Sequence, residues 1–272
     1  MIANARMYAV NGPVAALWER LFAWISARAD VPLDVVAHAA PRPLADLWRR
    51  VDLGCTFMCG YPWSTWRDDA AARPLLLGAP RPSAARYGGR AVYCTDIVVR
   101  ADSTRVDVDG LRGARFAYTV ESSQSGWQAP RHLFAEAAIA AGGRFFGAIV
   151  GPLHTPRAIA DALIEGRADA GPLDSYWLDL LRRHEPATAM RLRTLGSTPM
   201  TASPPLVCAA SAPQDMRERL ASALHAVADD PSLADLRGAL LLDGFAAADA
   251  DGYASLARRA RATDALGYPR LQ

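Results

Sequence analysis

The chain has 272 residues, 51% hydrophobic and 21% charged, the proportions of a soluble globular protein with one large domain or two lobes. A formal net charge of +2 with no basic block argues against a dedicated nucleic-acid binder, and the absence of any lysine leaves single arginines with little diagnostic weight. No stretch reaches the roughly 18 to 20 apolar residues that cross a bilayer, and the first thirty residues lack the plan of an export signal.

The first expected helix is "PVAALWERLFAWISARA", with Val14, Leu17, Leu21, Phe22 and Ile25 on one face and Pro13 at its start. A short strand, "PLDVVAH", and a second helix, "PRPLADLWRR", lead into "VDLGCTFMCGYPW", an alternation that points to an α/β lobe. "GAPRPSAARYGGR" reads as a loop and "AVYCTDIVVR" as the strand after it. The alternation resumes with "VDGLRGARFAYTV", a helix from Gly126, the turn "AAGGRFFGAIVG", the helix "TPRAIADALIEG", the strand "ADAGPLD" and the helix "DSYWLDLLRRH". "MRLRTLGSTPMTASPPLVCAA" reads as two extended segments broken by proline. An amphipathic helix, "PQDMRERLASALHAVADD", and the helix-like pieces "PSLADLRGALLLDG" and "YASLARRARA" complete the chain. Cys55, Cys59, Cys94 and Cys208 are expected to be buried free thiols, because "CTFMC" has no second ligand pair nearby to make a metal site.

Two extended crossings, near Val92–Arg100 and Met200–Ala209, divide the chain into a first part, a middle part and a return. This predicts a lobe of residues 1–97 plus 202–272, a second lobe of residues 98–201 inserted into it, and a ligand cleft between them. Within the middle part, "TVESSQSGWQAP" crowds hydroxyls at a helix start. Ser125 with Gln128 fits a capping box, and Leu133, Phe134, Ala137, Ala138 and Ala141 would be the buried face. Pro130 removes one intrahelical bond near Gly126, so the first turn is expected to be irregular. Helix-start amides with Ser122, Ser123 and Ser125 suit an anion, while a plain cap in a serine-rich loop fits the same residues.

"YCTDIVVRADS", "DGLRGARFAYTVESSQSGWQAPRHLF" and "GPLHTPRAIADALIEGRADAGPLDSYWLDLL" together resemble the phosphate/phosphite/phosphonate substrate-binding proteins of ABC transporters. That group shows Y-x-S-x-I-V-V, then D-L-(K/R)-G-(K/R)-x-(F/V)-A, then S-T-S-G-aromatic-x-x-P-R, and then G-x-H-x-x-x-x-x-A-L-x-x-G-x-A-D-A. The similarity is clearest from Tyr93 to Asp174. It implies a type II periplasmic-binding-protein-like α/β fold, each lobe a mixed sheet flanked by helices, that binds a small oxyanion or organophosphonate for a membrane permease.

The resemblance places Ser123, Gln124 and Ser125 in the anion loop, with Gly126 admitting the ligand to the backbone. Gln124 stands where the group has threonine. Tyr93 and His154 match an aromatic hydroxyl and the histidine of the last motif, Asp174 an acidic residue facing the ligand, and Tyr61 a tyrosine from the first lobe. The residues also fit plainer roles: Asp174 as a helix cap, Tyr93 as core and His154 as a cap or a solvated side chain, while Trp63, Trp66 and Trp127 suit the lining or the rim of the cleft. No cofactor and no metal are expected, and the protein is expected to be a monomer. Two other classes remain open: a cytosolic sensor or enzyme on the same fold, consistent with no visible export signal, and a hydrolase using Ser123 or Ser125, His154 and Asp174. The resemblance implies a periplasmic location.

Overall fold

The computed structural model describes residues 1–67 and 70–272. Asn11 starts the first long helix, accepting the Val14 N–H at 2.9 Å through its side chain, and Asp30 ends it in the left-handed conformation. Trp18, Leu21, Phe22 and Ile25 are buried along it, with Leu17 at the margin.

The elements in order are β1 (Ile2–Asn4), α1 (Gly12–Ala29), β2 (Asp34–Val35), α2 (Leu44–Trp48), β3 (Leu53–Phe57), α3 (Gly60–Ser64), β4 (Leu75–Pro82) and β5 (Val92–Tyr93). Next come β6 (Thr95–Arg100), β7 (Arg115–Ala117), α4 (Ala129–Ala140), β8 (Ala148–Val150), α5 (Pro156–Ile164), β9 (Ala170–Asp174), α6 (Ser175–His184) and α7 (Pro186–Ala189). The chain ends with β10 (Leu192–Ser197), β11 (Thr201–Ala202), β12 (Leu206–Cys208), α8 (Gln214–Ala226), α9 (Ala234–Leu240), β13 (Leu242–Ala246) and α10 (Ala250–Ala265).

These elements form two units, Met1–Tyr93 with Ala202–Tyr253, and Cys94–Thr201 with Ala254–Gln272. The first holds a six-stranded sheet in the order β13-β4-β12-β3-β1-β2, parallel among β2, β1 and β3 and antiparallel beyond. The Phe57 ring meets Tyr8 at 4.9 Å and Trp18 at 5.1 Å, both edge-on, which ties the middle of this sheet to α1.

Two expectations for this unit fail. The segment read as a loop from Gly78 is strand over its first five residues, because β4 runs on to Pro82 with β13 as its partner. β12 pairs with β4 only as far as Gly78. Pro80 and Pro82 share one side of the strand, whereas Ser83 on the other donates its N–H to Leu241 O at 2.9 Å. Their missing donors therefore leave the β13 ladder whole. The run read as helix up to Gly244 stops at Leu240, where Leu241 turns left-handed (φ 49°) and releases the chain into β13.

The second unit holds a five-stranded sheet in the order β10-β6-β9-β7-β8. Its core stacks Phe116 on Phe146 at 4.4 Å and packs both edge-on against Phe134. The sequence reading grouped residues 254–272 with the first lobe; they belong to this unit instead. Arg131, 2% exposed on α4, explains the attachment. Its guanidinium bonds Asp264 Oδ1 at 2.5 Å, Tyr268 O at 2.9 Å and Ala260 O at 3.1 Å. Tyr268 and Leu271 join the aromatic core, and Gln272 O accepts the N–H groups of Phe145 and Phe146.

Candidate functional site

Three strands of the second unit run parallel, β9, β7 and β8, side by side in that order. From β7 the chain goes to its neighbour β8, and from β9 it leaves the other way, past β6, to β10. Adjacent strands continued in opposite directions open a crevice at their carboxyl ends, where open α/β sheets bind ligands. Each of the three strands feeds a helix start there, and Ser123, His154 and Asp174 occupy those three junctions.

After β7 the chain enters one π-type turn, Gln124–Gln128, before α4 begins. Gln128 N–H reaches Ser123 O at 3.0 Å and Ala129 N–H reaches Gln124 O, each five residues back. The next donor in that register would be residue 130, a proline with no N–H. The carbonyl thus left over, Ser125 O, accepts the Thr95 hydroxyl at 3.3 Å instead. The wide turn also moves the cap. Ser123, not Ser125, is the N-cap, its Oγ accepting the Gly126 N–H at 2.9 Å. Gln128 makes no capping box; its Nε2 donates to Glu121 O at 2.9 Å and its Oε1 accepts from Arg131.

Gly126 has a steric reason to be glycine. A Cβ there would lie 1.8 Å from Thr119 Oγ1 and 2.9 Å from Thr119 Cβ, so the loop is seated on Thr119 before any ligand is considered. Thr119 is buried, and its Oγ1 has no hydrogen-bond partner. Its carbonyl accepts the His154 N–H at 3.0 Å, which places the turn after β8 against the same residue.

His154 is exposed, has φ 64°, and sits at the centre of a three-residue turn closed by Thr155 N–H to Leu153 O at 2.8 Å. That is the strained hand of such a turn, and a histidine held in it is a marker of functional sites. Gly151, just upstream, lets the Tyr118 ring approach: a Cβ there would stand 2.6 Å from two ring carbons. Burial, and then the Glu121 carboxylate, raise the Tyr118 phenol above its usual range and keep it a neutral donor.

Asp174 ends β9 and caps α6, its Oδ1 accepting Tyr176 N–H at 2.9 Å and Trp177 N–H at 3.0 Å. It pairs across the ladder with Thr95, the residue whose hydroxyl holds Ser125 O, so the third junction is tied to the first. Of the expected residues, Ser123, Ser125, Gly126, His154 and Asp174 are brought together through Thr95 and Thr119, which sequence reasoning did not single out. Gln124 belongs to the same turn but is buried, so it shapes the loop from inside. Of the apolar face expected for α4, Phe134 and Ala138 are buried, whereas Ala141 lies just beyond the helix and is exposed.

Tyr93 and Tyr61 belong to the first unit, Tyr93 buried in β5 and Tyr61 half-buried in α3. Trp127 packs edge-on against Tyr118 at 4.6 Å, and Trp63 against Tyr253 at 5.6 Å. Among the described residues no group of three or more His, Cys, Asp or Glu side chains is placed to hold a metal ion.

Residues 12–253 match the family of phosphonate periplasmic substrate-binding proteins of ABC transporters. No curated protein matches the chain. Among solved structures, the binding-protein component of an ABC phosphonate transporter from Pseudomonas aeruginosa is similar at 15% identity and TM-score 0.78, over 98% of this chain and 86% of that one. PhnD1 from Prochlorococcus marinus, in complex with methylphosphonate, is similar at 16% identity and TM-score 0.78, over 97% of both chains. A Xanthomonas citri protein bound to ATP is similar at 18% identity and TM-score 0.64, over 98% of this chain and 97% of that one.

Proposed function

The chain belongs to the phosphonate periplasmic substrate-binding proteins of ABC transporters, and on that premise we propose that it captures a small phosphorus oxyanion or organophosphonate at the Ser123, His154 and Asp174 junctions and delivers it, as a monomer, to an ABC permease. The observation that carries this reading is the meeting of three helix starts at the carboxyl ends of adjacent parallel strands, two of them touching Thr119. The helix starts at Ser123 and His154 present the positive end of the helix dipole, which suits an oxyanion, whereas at the third the Asp174 carboxylate already takes the Tyr176 and Trp177 N–H groups and would accept a proton from a protonated ligand oxygen. The loops 118–127 and 151–155 contain no arginine, so the charge is met by dipoles and hydroxyls. The Ser123 hydroxyl accepts from Gly126 N–H and keeps its own proton to donate to a ligand oxygen. Gln124, buried in the turn where the group has threonine, is the position at which the preferred anion would differ from that of the group.

The test is a thermal-shift panel of phosphate, phosphite, methylphosphonate, aminoethylphosphonate, sulfate and ATP, on protein unfolded and refolded to remove carried-over ligand. A phosphorus oxyanion at about 100 times its dissociation constant stabilises by about 2.7 kcal/mol. A selective shift with one such anion and none with sulfate is the expected outcome; a flat panel would overturn the ligand class. In the Ser123→Ala/Ser125→Ala variant that shift should vanish while the empty protein loses only about 1 to 2 kcal/mol, the worth of the Ser123 cap.

His154 provides an independent check. His154→Gly removes a side chain proposed to face the ligand but relieves a left-handed backbone, so its stability should stay within about 1 kcal/mol of the parent. Calorimetric titration should show binding weakened at least about tenfold. Unchanged affinity would remove His154 from the site.

A further inference from the structure

Cys55 and Cys208 face each other across the β3–β12 pair of the first unit. Leu206 pairs with Phe57 and Val207 with Thr56 in antiparallel register, which brings Cys208 opposite Cys55 one step on. Met58 N–H donates to Pro205 O at 2.9 Å, so ladder bonds fall at 58/205 and 56/207. Continued one step, that register makes 55/208 a closely spaced pair, for which a regular ladder has Cα atoms about 4.5 Å apart and both side chains on one face, and the two thiols are close enough to interact electrostatically. A disulfide spans Cα separations of about 4.4 to 6.8 Å. Beyond the cysteines Ala209 N–H donates to Leu53 O at 2.8 Å, one residue off the 56/207 register, so the strands stay bonded past the cysteines through a one-residue slip. Both thiols are free and fully buried.

We propose that Cys55 and Cys208 form a cross-strand disulfide, closed while the first unit folds in a compartment that supplies a thiol–disulfide oxidant. The first protein thiolate attacks the oxidant's S–S bond and releases one of its sulfurs as a thiol. The second protein thiolate attacks the mixed disulfide and releases the other. Two protein S–H bonds are replaced by one S–S bond, and the oxidant's S–S bond by two S–H bonds. In the closed sheet the exchange is blocked, since burial raises the Cys55 thiol far above its ordinary range and Cys208 to about 11. The bond therefore forms before β12 docks, and once formed it is shielded from reductant.

The test is to refold the denatured chain with oxidised and reduced glutathione, alkylate the remaining thiols under denaturing conditions, and map the peptides by mass. The expected product carries one Cys55–Cys208 link with Cys59 and Cys94 alkylated, and it melts at least about 5 °C above protein refolded in reductant. Cys55→Ser and Cys208→Ser should each abolish that difference. The proposal fails if all four cysteines are alkylated, if the link joins Cys59 or Cys94 to either partner, or if the oxidised form melts lower. Because the mapping is done on the parent chain, it stands even where a variant does not fold.

Discussion

Replacing Gly126 with alanine is expected to abolish ligand binding and to destabilise the second unit by about 3 kcal/mol. The added methyl would sit 1.8 Å from Thr119 Oγ1, 2.9 Å from Thr119 Cβ and 3.0 Å from Ser123 Oγ. The turn or Thr119 must move, and Thr119 is buried with its carbonyl holding His154 N–H, so a shift disturbs two of the three junctions at once. The companion change separates sterics from chemistry. Thr119→Ala alone should be neutral or slightly stabilising, because it deletes a buried hydroxyl with no hydrogen-bond partner. Combined with Gly126→Ala it removes the 1.8 Å clash but not the 2.9 Å one, so part of the stability and part of the binding should return. Thermal unfolding and calorimetric titration with methylphosphonate measure both effects. A Gly126→Ala protein that melts and binds like the parent would show that the loop is not seated on Thr119.

The second large effect is expected at Arg131, remote from the proposed ligand. Arg131→Ala leaves Tyr268 O, Ala260 O and Gln128 Oε1 without the donor that satisfies them inside the protein. At about 1 to 3 kcal/mol for each stranded polar group, part of it regained by entering water, the loss should be about 3 to 5 kcal/mol, or a fall of about 10 °C in the melting of the second unit. Asp264→Asn should cost no more than about 1 kcal/mol, because that carboxylate is 54% exposed and its charge is screened. The contrast identifies the buried donors, rather than the ion pair, as what attaches residues 254–272. Arg131 also holds Gln128, which in turn holds Glu121 O, so Arg131→Ala should weaken methylphosphonate binding even at temperatures where the unit remains folded.

Much of this architecture is legible in the sequence. The 3.6-residue spacing of Val14, Leu21 and Ile25 marks α1, and the order of motifs from Tyr93 to Asp174 marks the strands and helix starts of the second unit. What escapes has identifiable causes. β4 is disguised by Pro80 and Pro82, tolerated because their missing donors lie off the β13 ladder. β13 follows α9 after a single left-handed leucine, where a glycine would have announced the break. The N-cap is displaced from Ser125 to Ser123 because the turn closes five residues back rather than four, and local spacing does not encode that choice. Thr119 is invisible as a site residue because its role comes from being touched by two loops far apart in sequence. The attachment of residues 254–272 depends on Arg131, and one arginine among 30 in a chain without lysine carries no label.

Within the three junctions at the ends of β7, β8 and β9, Ser122 and His154 are exposed and stand outside the framework, whereas Trp127 belongs to it. Ile97, Phe116, Phe134 and Phe146 hold the unit together from positions that none of the three loops occupies. With the ligand held as proposed, a lineage would exchange one cargo for another by rewriting a few exposed loop residues, with Thr119 and Gly126 as the fixed pivot, while the framework is inherited unchanged. The same separation would make the unit a practical chassis for an optical sensor, because a library confined to Ser122, Leu153 and His154 spares the helix caps at Ser123 and Thr155 and the hydrophobic centre.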